Sequence, residues 1–307
     1  MADYPRAVHL FEVGPRDGLQ NEAQILSLED KLWFITGLIR AGIQDFEVGA
    51  FVRPDRVPQM ADTALLYAAA RKKRLLSSQK VRAWSLVPNE KGLERALEAG
   101  VTKIAVFTAA TDAFARRNIG MSIDESLEVF GRMIQVAKSR SIQVRGYVST
   151  AFGCPFEGKV APKKALHVIE KLADLGVDQI SIGDTIGVAT PKQVDELMKP
   201  ALKLIGPKKV AGHFHDTRGT ALANALRSLE IGVRILDSSA GGLGGCPFAP
   251  SATGNLPTED LVYMLNGMGI RTGIDLDQLC KVSLELAHRM GRSLSSRCVQ
   301  TYAAQME

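Results

Sequence analysis

Scarcity bounds this chain before any motif does. Aromatic residues make up only 6% of its 307 positions, so the ladder of rings that stacks on unpaired nucleic-acid bases is absent. The four cysteines, Cys154, Cys246, Cys280 and Cys298, form no C-x-x-C pair, which argues against both a disulfide framework and a zinc ribbon. A reducing cytoplasm, of bacterial type, is the expected compartment. No stretch approaches the ~20 uninterrupted apolar residues of a membrane helix, and the opening "MADYPRAVHLFEVG" lacks the charged-then-apolar order of a signal peptide. The closing "AAQME" is no peroxisomal tripeptide. Charge of one sign is also in short supply. Lysine plus arginine exceeds aspartate plus glutamate by 38 − 33 = 5, an excess better matched to an anionic small molecule than to a nucleic-acid backbone. Linkers rich in Pro, Gly or Ser are missing too, so a single large core is expected.

What is present is a regular alternation. Short β-branched runs over 8–13, 45–48, 81–86, 103–107, 143–148, 179–182, 209–215 and 234–237 are each followed by a segment of helical period, the pattern of parallel strands covered by helices. Helix starts carry their own chemistry. Ser122 with Glu125 reads as a capping box, and Thr190 with Gln193 flanks Pro191 at a first helical position. Eight such units predict an α/β fold, a (β/α)8 TIM barrel over residues 1–270, with a helical C-terminal extension over 271–307 centred on 275–290. An open, doubly wound sheet is the alternative. In a barrel the chemistry belongs at the C-terminal ends of the strands.

Two of only five histidines, His213 and His215, sit two apart in "HFHD", where the seventh predicted strand ends. Strand alternation points both to one face, about 6 to 7 Å apart, a span that one metal ion can bridge. The first strand runs into "EVGPRDGLQNE", with Arg16 and Asp17 just past its end, although turn preference alone would account for Pro15, Asp17 and Gly18. The eighth enters a glycine-rich loop over 236–255 that carries Cys246. Pro247 and Pro250 stand where a dinucleotide fingerprint needs a helix, so a mobile lid is expected instead. Of the basic clusters, "RKKR" at 71–74 reads as the solvated end of a helix. Arg116, Arg117 and Asn118 read as a loop after the fourth strand, on the mouth side, where a nucleotide phosphate or a substrate carboxylate of an acyl-CoA would bind.

Six segments in order, "EVGPRDGLQNE", "FVRPDRVPQMAD", "GYVSTAFGCPFEG", "SIGDTIGVATP", "HFHDTRGTALAN" and "GGLGGCPFAPSATGNLPTEDLVYML", make the chain resemble the 3-hydroxy-3-methylglutaryl-CoA lyases. These belong to a metal-dependent barrel superfamily that also holds isopropylmalate and homocitrate synthases. The resemblance implies a divalent cation on Asp17, His213, His215 and Asn255, with magnesium or manganese favoured by the mixed oxygen and nitrogen donors and zinc or cobalt also able to bind. It further implies catalytic roles for Arg16 and Cys246, mouth positions for Glu47 and Asp184, an acyl-CoA substrate, and a homodimer without nucleic-acid or membrane partners. For Glu47 and Asp184 a direct catalytic role and an ion pair or hydrogen bond that shapes the mouth are even alternatives.

The implied reaction is cleavage of a 3-hydroxyacyl-CoA to acetyl-CoA and a keto acid, as in leucine degradation and ketone body formation. A base, His213 or Asp17, takes the C3 hydroxyl proton, Arg16 donates to the developing enolate, and Cys246 returns a proton to it. Two departures bear on the substrate: Ala23 and Ala50 replace a lysine and a serine of the family pattern. A lyase for a related substrate such as citramalyl-CoA and a metal-dependent acyl-CoA-binding barrel without turnover are the competing readings.

Overall fold

The computed structural model describes residues 4–245 and 254–306. Eight parallel strands form a closed barrel: β1 (His9–Glu12), β2 (Asp45–Ala50), β3 (Arg82–Leu86), β4 (Lys103–Ala109), β5 (Gln143–Ser149), β6 (Gln179–Asp184), β7 (Val210–Phe214) and β8 (Ile235–Ser238). Each strand neighbours the next in sequence, and β1 pairs with both β2 and β8. That closure removes the edges an open sheet would keep, so the doubly wound alternative is set aside.

Helices cover the barrel because the intervening segments carry one apolar stripe each. The helix Ile123–Ser139 begins at the expected capping box: Ser122 Oγ accepts the Glu125 N–H at 3.2 Å, and Glu125 Oε2 accepts the Ser122 N–H at 2.6 Å. Pro191 opens the helix Pro191–Ile205, and the Thr190 N–H reaches back to Gln193. After the last barrel helix, Thr258–Gly267, the chain adds Leu276–Met290 and Arg297–Ala304. The first of these lies so close to Leu28–Arg40 that a Cβ at Gly37 would stand 2.7 Å from Val282. Among the described residues no helix is long and apolar enough to cross a membrane.

Two expectations change. Arg116, Arg117 and Asn118 lie in a helix, Asp112–Ile119, because Gly120 at φ 73° stops it and the Asp112 carboxylate accepts the Ile123 N–H. The near part of the expected lid is tied down: Gly241, Gly242 and Leu243 are buried, the Gly241 N–H donating to Glu259, the Gly242 N–H to Ser239 O, and Gly241 O accepting from the N–H groups of Ser295 and Ser296. Cys246 lies outside the described residues.

Candidate metal and active site

Just beyond β1 the backbone coils into a π-helical turn, Gly14–Gly18, with Pro15 in its first turn. Only a glycine fits at its start. The Glu12 carboxylate folds over to accept the Gly14 N–H at 2.7 Å, and a Cβ there would sit 2.6 Å from that oxygen. The turn aims Arg16 and Asp17 into the barrel mouth. Arg16 is buried and committed to two acids: it donates to Glu47 Oε2 at 2.5 Å and to Asp17 Oδ1 at 2.7 Å.

His213 is inside β7 and His215 one residue past its end, with ring nitrogens Nε2 to Nε2 3.3 Å apart. Asn255 joins them although it is far along the chain. The segment after the glycine-rich stretch returns beside β7, Leu256 N–H bonding to Phe214 O and Asp216 N–H to Gly254 O, which sets Asn255 opposite His215. Asn255 Nδ2 donates to Asp17 Oδ2 at 2.8 Å. The four residues named from the sequence therefore meet.

Ligand atoms of Asp17, His213 and His215 all lie within 4.8 Å of one another. Asn255 Oδ1 and His215 Nδ1 are buried without a hydrogen-bond partner. An orphaned carbonyl oxygen beside a carboxylate and two imidazoles is what a cation site needs before its ion arrives. Electrostatics agree. Burial alone would raise the Asp17 carboxyl, but Arg16, both histidines and the Asn255 hydrogen bond hold it at about 2. Burial and the neighbouring His213 push His215 down to about 4, which keeps it a neutral donor. For His213 burial acts downward, yet Asp237 and Asp17 outweigh it and raise the imidazole. The residues present fit a divalent cation with oxygen and nitrogen donors.

Glu47 is fully buried, and its carboxyl is raised by that burial against the pull of Arg16. Its Oε1 has no partner. Asp184, pushed up to about 6 by burial, spends its oxygens on the N–H groups of Val188 and Ala189 at 2.9 and 3.0 Å, shaping the loop after β6. A cavity of about 120 Å³ opens over the cluster, walled by Arg16, Asp17, Phe107, Phe114, Asn118, Tyr147, His213 and His215 among others. Asn118 reaches this wall. Arg116 instead pairs with Glu125 on the surface, and Arg117 stacks on the Phe156 ring at 3.9 Å. Neither Ala23 nor Ala50 lines the cavity. A larger cavity, about 1180 Å³, lies at the opposite end, beside His9 and Ile235 at the strand starts, away from the ligand cluster.

Sequence reasoning missed what lies beneath the site. Arg145 on β5 and Asp237 on β8 form an ion pair with no exposed surface, and Ser181 donates to Asp237 at 2.7 Å. The available signal was the alternation in "QVRGYVS", which turns Arg145 and Tyr147 to one face, inward.

The HMGL-like family model matches residues 7–285. The hydroxymethylglutaryl-CoA lyase of Pseudomonas mevalonii is 46% identical over 299 residues, 97% of this chain and 98% of the relative. A 3-hydroxy-3-isohexenylglutaryl-CoA/hydroxy-methylglutaryl-CoA lyase of Pseudomonas aeruginosa is 44% identical over 300 residues, 98% of each. The crystal structure of hydroxymethylglutaryl-CoA lyase from Pseudomonas aeruginosa superposes with a TM-score of 0.94 at 43% identity, covering 98% of this chain and 99% of that one. The match takes in all eight barrel strands and every residue of the ligand cluster, and the chain belongs to the HMGL-like family.

Proposed function

We propose that this protein cleaves 3-hydroxy-3-methylglutaryl-CoA to acetyl-CoA and acetoacetate. The observation that carries the reading is the convergence of Asp17, His213, His215 and the orphaned Asn255 Oδ1 beside the Arg16 guanidinium, at the wall of one mouth cavity. Near-full-length relatives named for this activity support the substrate. The four residues would hold magnesium or manganese, with zinc or cobalt as replacements. A divalent cation there supplies acidity to a bound hydroxyl and polarises the carbonyl that forms.

The chain's own groups do the rest. Asp17 accepts the C3 hydroxyl proton as the bond between C2 and C3 breaks, since His213 spends Nε2 on the cation and Nδ1 on Asp237. Arg16 keeps its charge at any working pH, because Glu47 and Asp17 stabilise it against burial. Its N–H groups donate to the thioester oxygen as that oxygen becomes anionic. Cys246 is assigned the proton that converts the enolate at C2 to the methyl of acetyl-CoA. Asn118 on the cavity wall is the polar contact for the acyl chain, and a homodimer in the cytoplasm completes the reading.

Purified protein incubated with 3-hydroxy-3-methylglutaryl-CoA, citramalyl-CoA and 3-hydroxy-3-isohexenylglutaryl-CoA, with each of the four metals, tests this by product mass. Acetoacetate should form only with metal present and should be lost in the His213→Ala, His215→Ala double variant together with bound metal. Splitting of citramalyl-CoA to pyruvate without any acetoacetate would refute the substrate while sparing the chemistry. Unchanged metal content in the double variant would refute the site.

A further inference from the structure

The mechanism uses one face of His213 and leaves the other unexplained. Its Nδ1 lies 3.2 Å from Asp237 Oδ2, while Nε2 on the other side of the ring lies 3.3 Å from His215 Nε2. Asp237 has no freedom to turn elsewhere. Oδ2 also accepts the Ser181 hydroxyl at 2.7 Å, and Oδ1 is taken by Arg145 Nη2. Arg145 is in turn clamped between rings, its guanidinium carbon 3.8 Å from the centroid of Phe11 and 5.1 Å from that of Tyr147. All four polar groups are fully or almost fully buried.

Such an arrangement is costly to keep for stability alone. Replacing a buried ion pair by apolar side chains of similar volume is often neutral or favourable, and here two donors of the same guanidinium, Nε and Nη1, go without acceptors. The geometry offers another use for it. Strand register places Asp237 on β8 directly beside His213 on β7. A carboxylate anchored on its far side can accept a hydrogen bond but cannot donate one. It therefore selects the imidazole tautomer that carries its proton on Nδ1.

We propose that Asp237, fixed by Arg145 and Ser181, is a positioning residue that holds His213 in the Nδ1–H form with the Nε2 lone pair turned toward Asp17, His215 and Asn255. This rests on the reading of those residues as a divalent-cation site. Arg145 serves the same end from a distance, because it fills the remaining carboxylate oxygen and prevents rotation of Asp237 out of reach. The carboxylate–imidazole pair would also raise the basicity of Nε2 and orient the ring, the two effects by which outer partners strengthen ligation.

The test compares Mn²⁺ affinity and imidazole tautomer in the full-length protein. Asp237→Asn keeps the shape but can donate from its amide, which favours the Nε2–H form and blocks ligation. Its Mn²⁺ dissociation constant, followed by electron paramagnetic resonance of free ion, should rise by about tenfold to a hundredfold. Proton–nitrogen correlation spectra of metal-free protein at alkaline pH should show His213 as Nδ1–H in the parent and as Nε2–H in the variant. Ser181→Ala, which removes a single hydroxyl, should raise the constant severalfold in the same direction. If the parent binds Mn²⁺ through His213 and His215 but Asp237→Asn binds it within twofold of the parent, the positioning role is wrong and the metal site stands. An Nε2–H His213 in the parent overturns the proposal even if Asp237→Asn does not fold. No Mn²⁺ bound by the parent removes both readings.

Discussion

Arg16 shows how much a single side chain can be asked to do. It is buried, paired with Glu47 through Nε and Nη2 and with Asp17 through Nη1, so its position is set by two carboxylates. Lysine at this site would keep the charge and lose the planar fork that satisfies both partners at once. Arg16→Lys should therefore lower kcat by about a hundredfold or more, the scale of losing one donor to an oxyanion, with a smaller change in KM. Steady-state kinetics on a metal-saturated sample decides it. A larger effect on KM than on kcat would assign Arg16 to ground-state binding. The same residue marks a boundary of legibility: Arg16 and Asp17 stood out only through their segment's resemblance to a family, since Pro, Asp and Gly at that spacing are ordinary turn residues.

At the scale of elements, the site depends on two segments that approach each other closely. Gly254 precedes Asn255, and a Cβ built on it would fall 1.7 Å from the Gly242 carbonyl oxygen, a backbone atom with nowhere to go. Only glycine permits this approach. Gly254→Ala should push the returning segment off Gly242 and carry Asn255 away from Asp17. The expected result is a Mn²⁺ dissociation constant raised at least about tenfold, accompanied by a lower melting temperature. Parental affinity in this variant would mean that Asn255 is not placed by the contact. The strands were legible to within about two residues, because short β-branched runs set between segments of helical period leave few other conformations. The helix Asp112–Ile119 was not, since it is short, mostly polar and charged, and its ending depends on Gly120 adopting a left-handed conformation.

Across the whole molecule, buried carboxyls set how stability responds to pH. Burial raises Glu12 from 4.5 to about 7 and Glu259 from 4.5 to about 8, against the hydrogen bonds each accepts from the backbone and from Thr258 or Ser283. A carboxyl raised in the folded state holds its proton more tightly there than when unfolded. Its contribution to stability is thus complete below about 4.5 and is lost as pH rises through about 7 and about 8. Asp45 works the other way: burial raises it, but hydrogen bonds from His9 and Arg82 hold it at about 2, so its contribution is lost only as pH falls from 3.8 through that value. Metal-free protein should melt at progressively lower temperature from about pH 5 to about pH 8.5, and the Glu12→Gln, Glu259→Gln double variant should flatten that slope. Calorimetry across this range checks it; parallel slopes in parent and variant would reject the assignment.

By itself the sequence determined the alternation of strands and helices, the helix starts, and which ends of the strands carry the polar residues, because periodicity and capping are properties of neighbouring residues. From these follow the barrel and the place of His213 and His215 at its mouth, whereas Asp17 and Asn255 were named only through resemblance to a family. Tertiary structure alone decided the rest. Pairing of β8 with β7 sets Asp237 beside His213, and Arg145 on β5 reaches the same carboxylate across the barrel interior, a juxtaposition no local pattern encodes. Likewise, Glu12 and Glu259 look like ordinary acidic residues in the chain and become buried only when Gly14, Ala240 and Gly241 fold over them. Charge in a core is a matter of which partners surround it, and those partners arrive from distant segments once the barrel has closed.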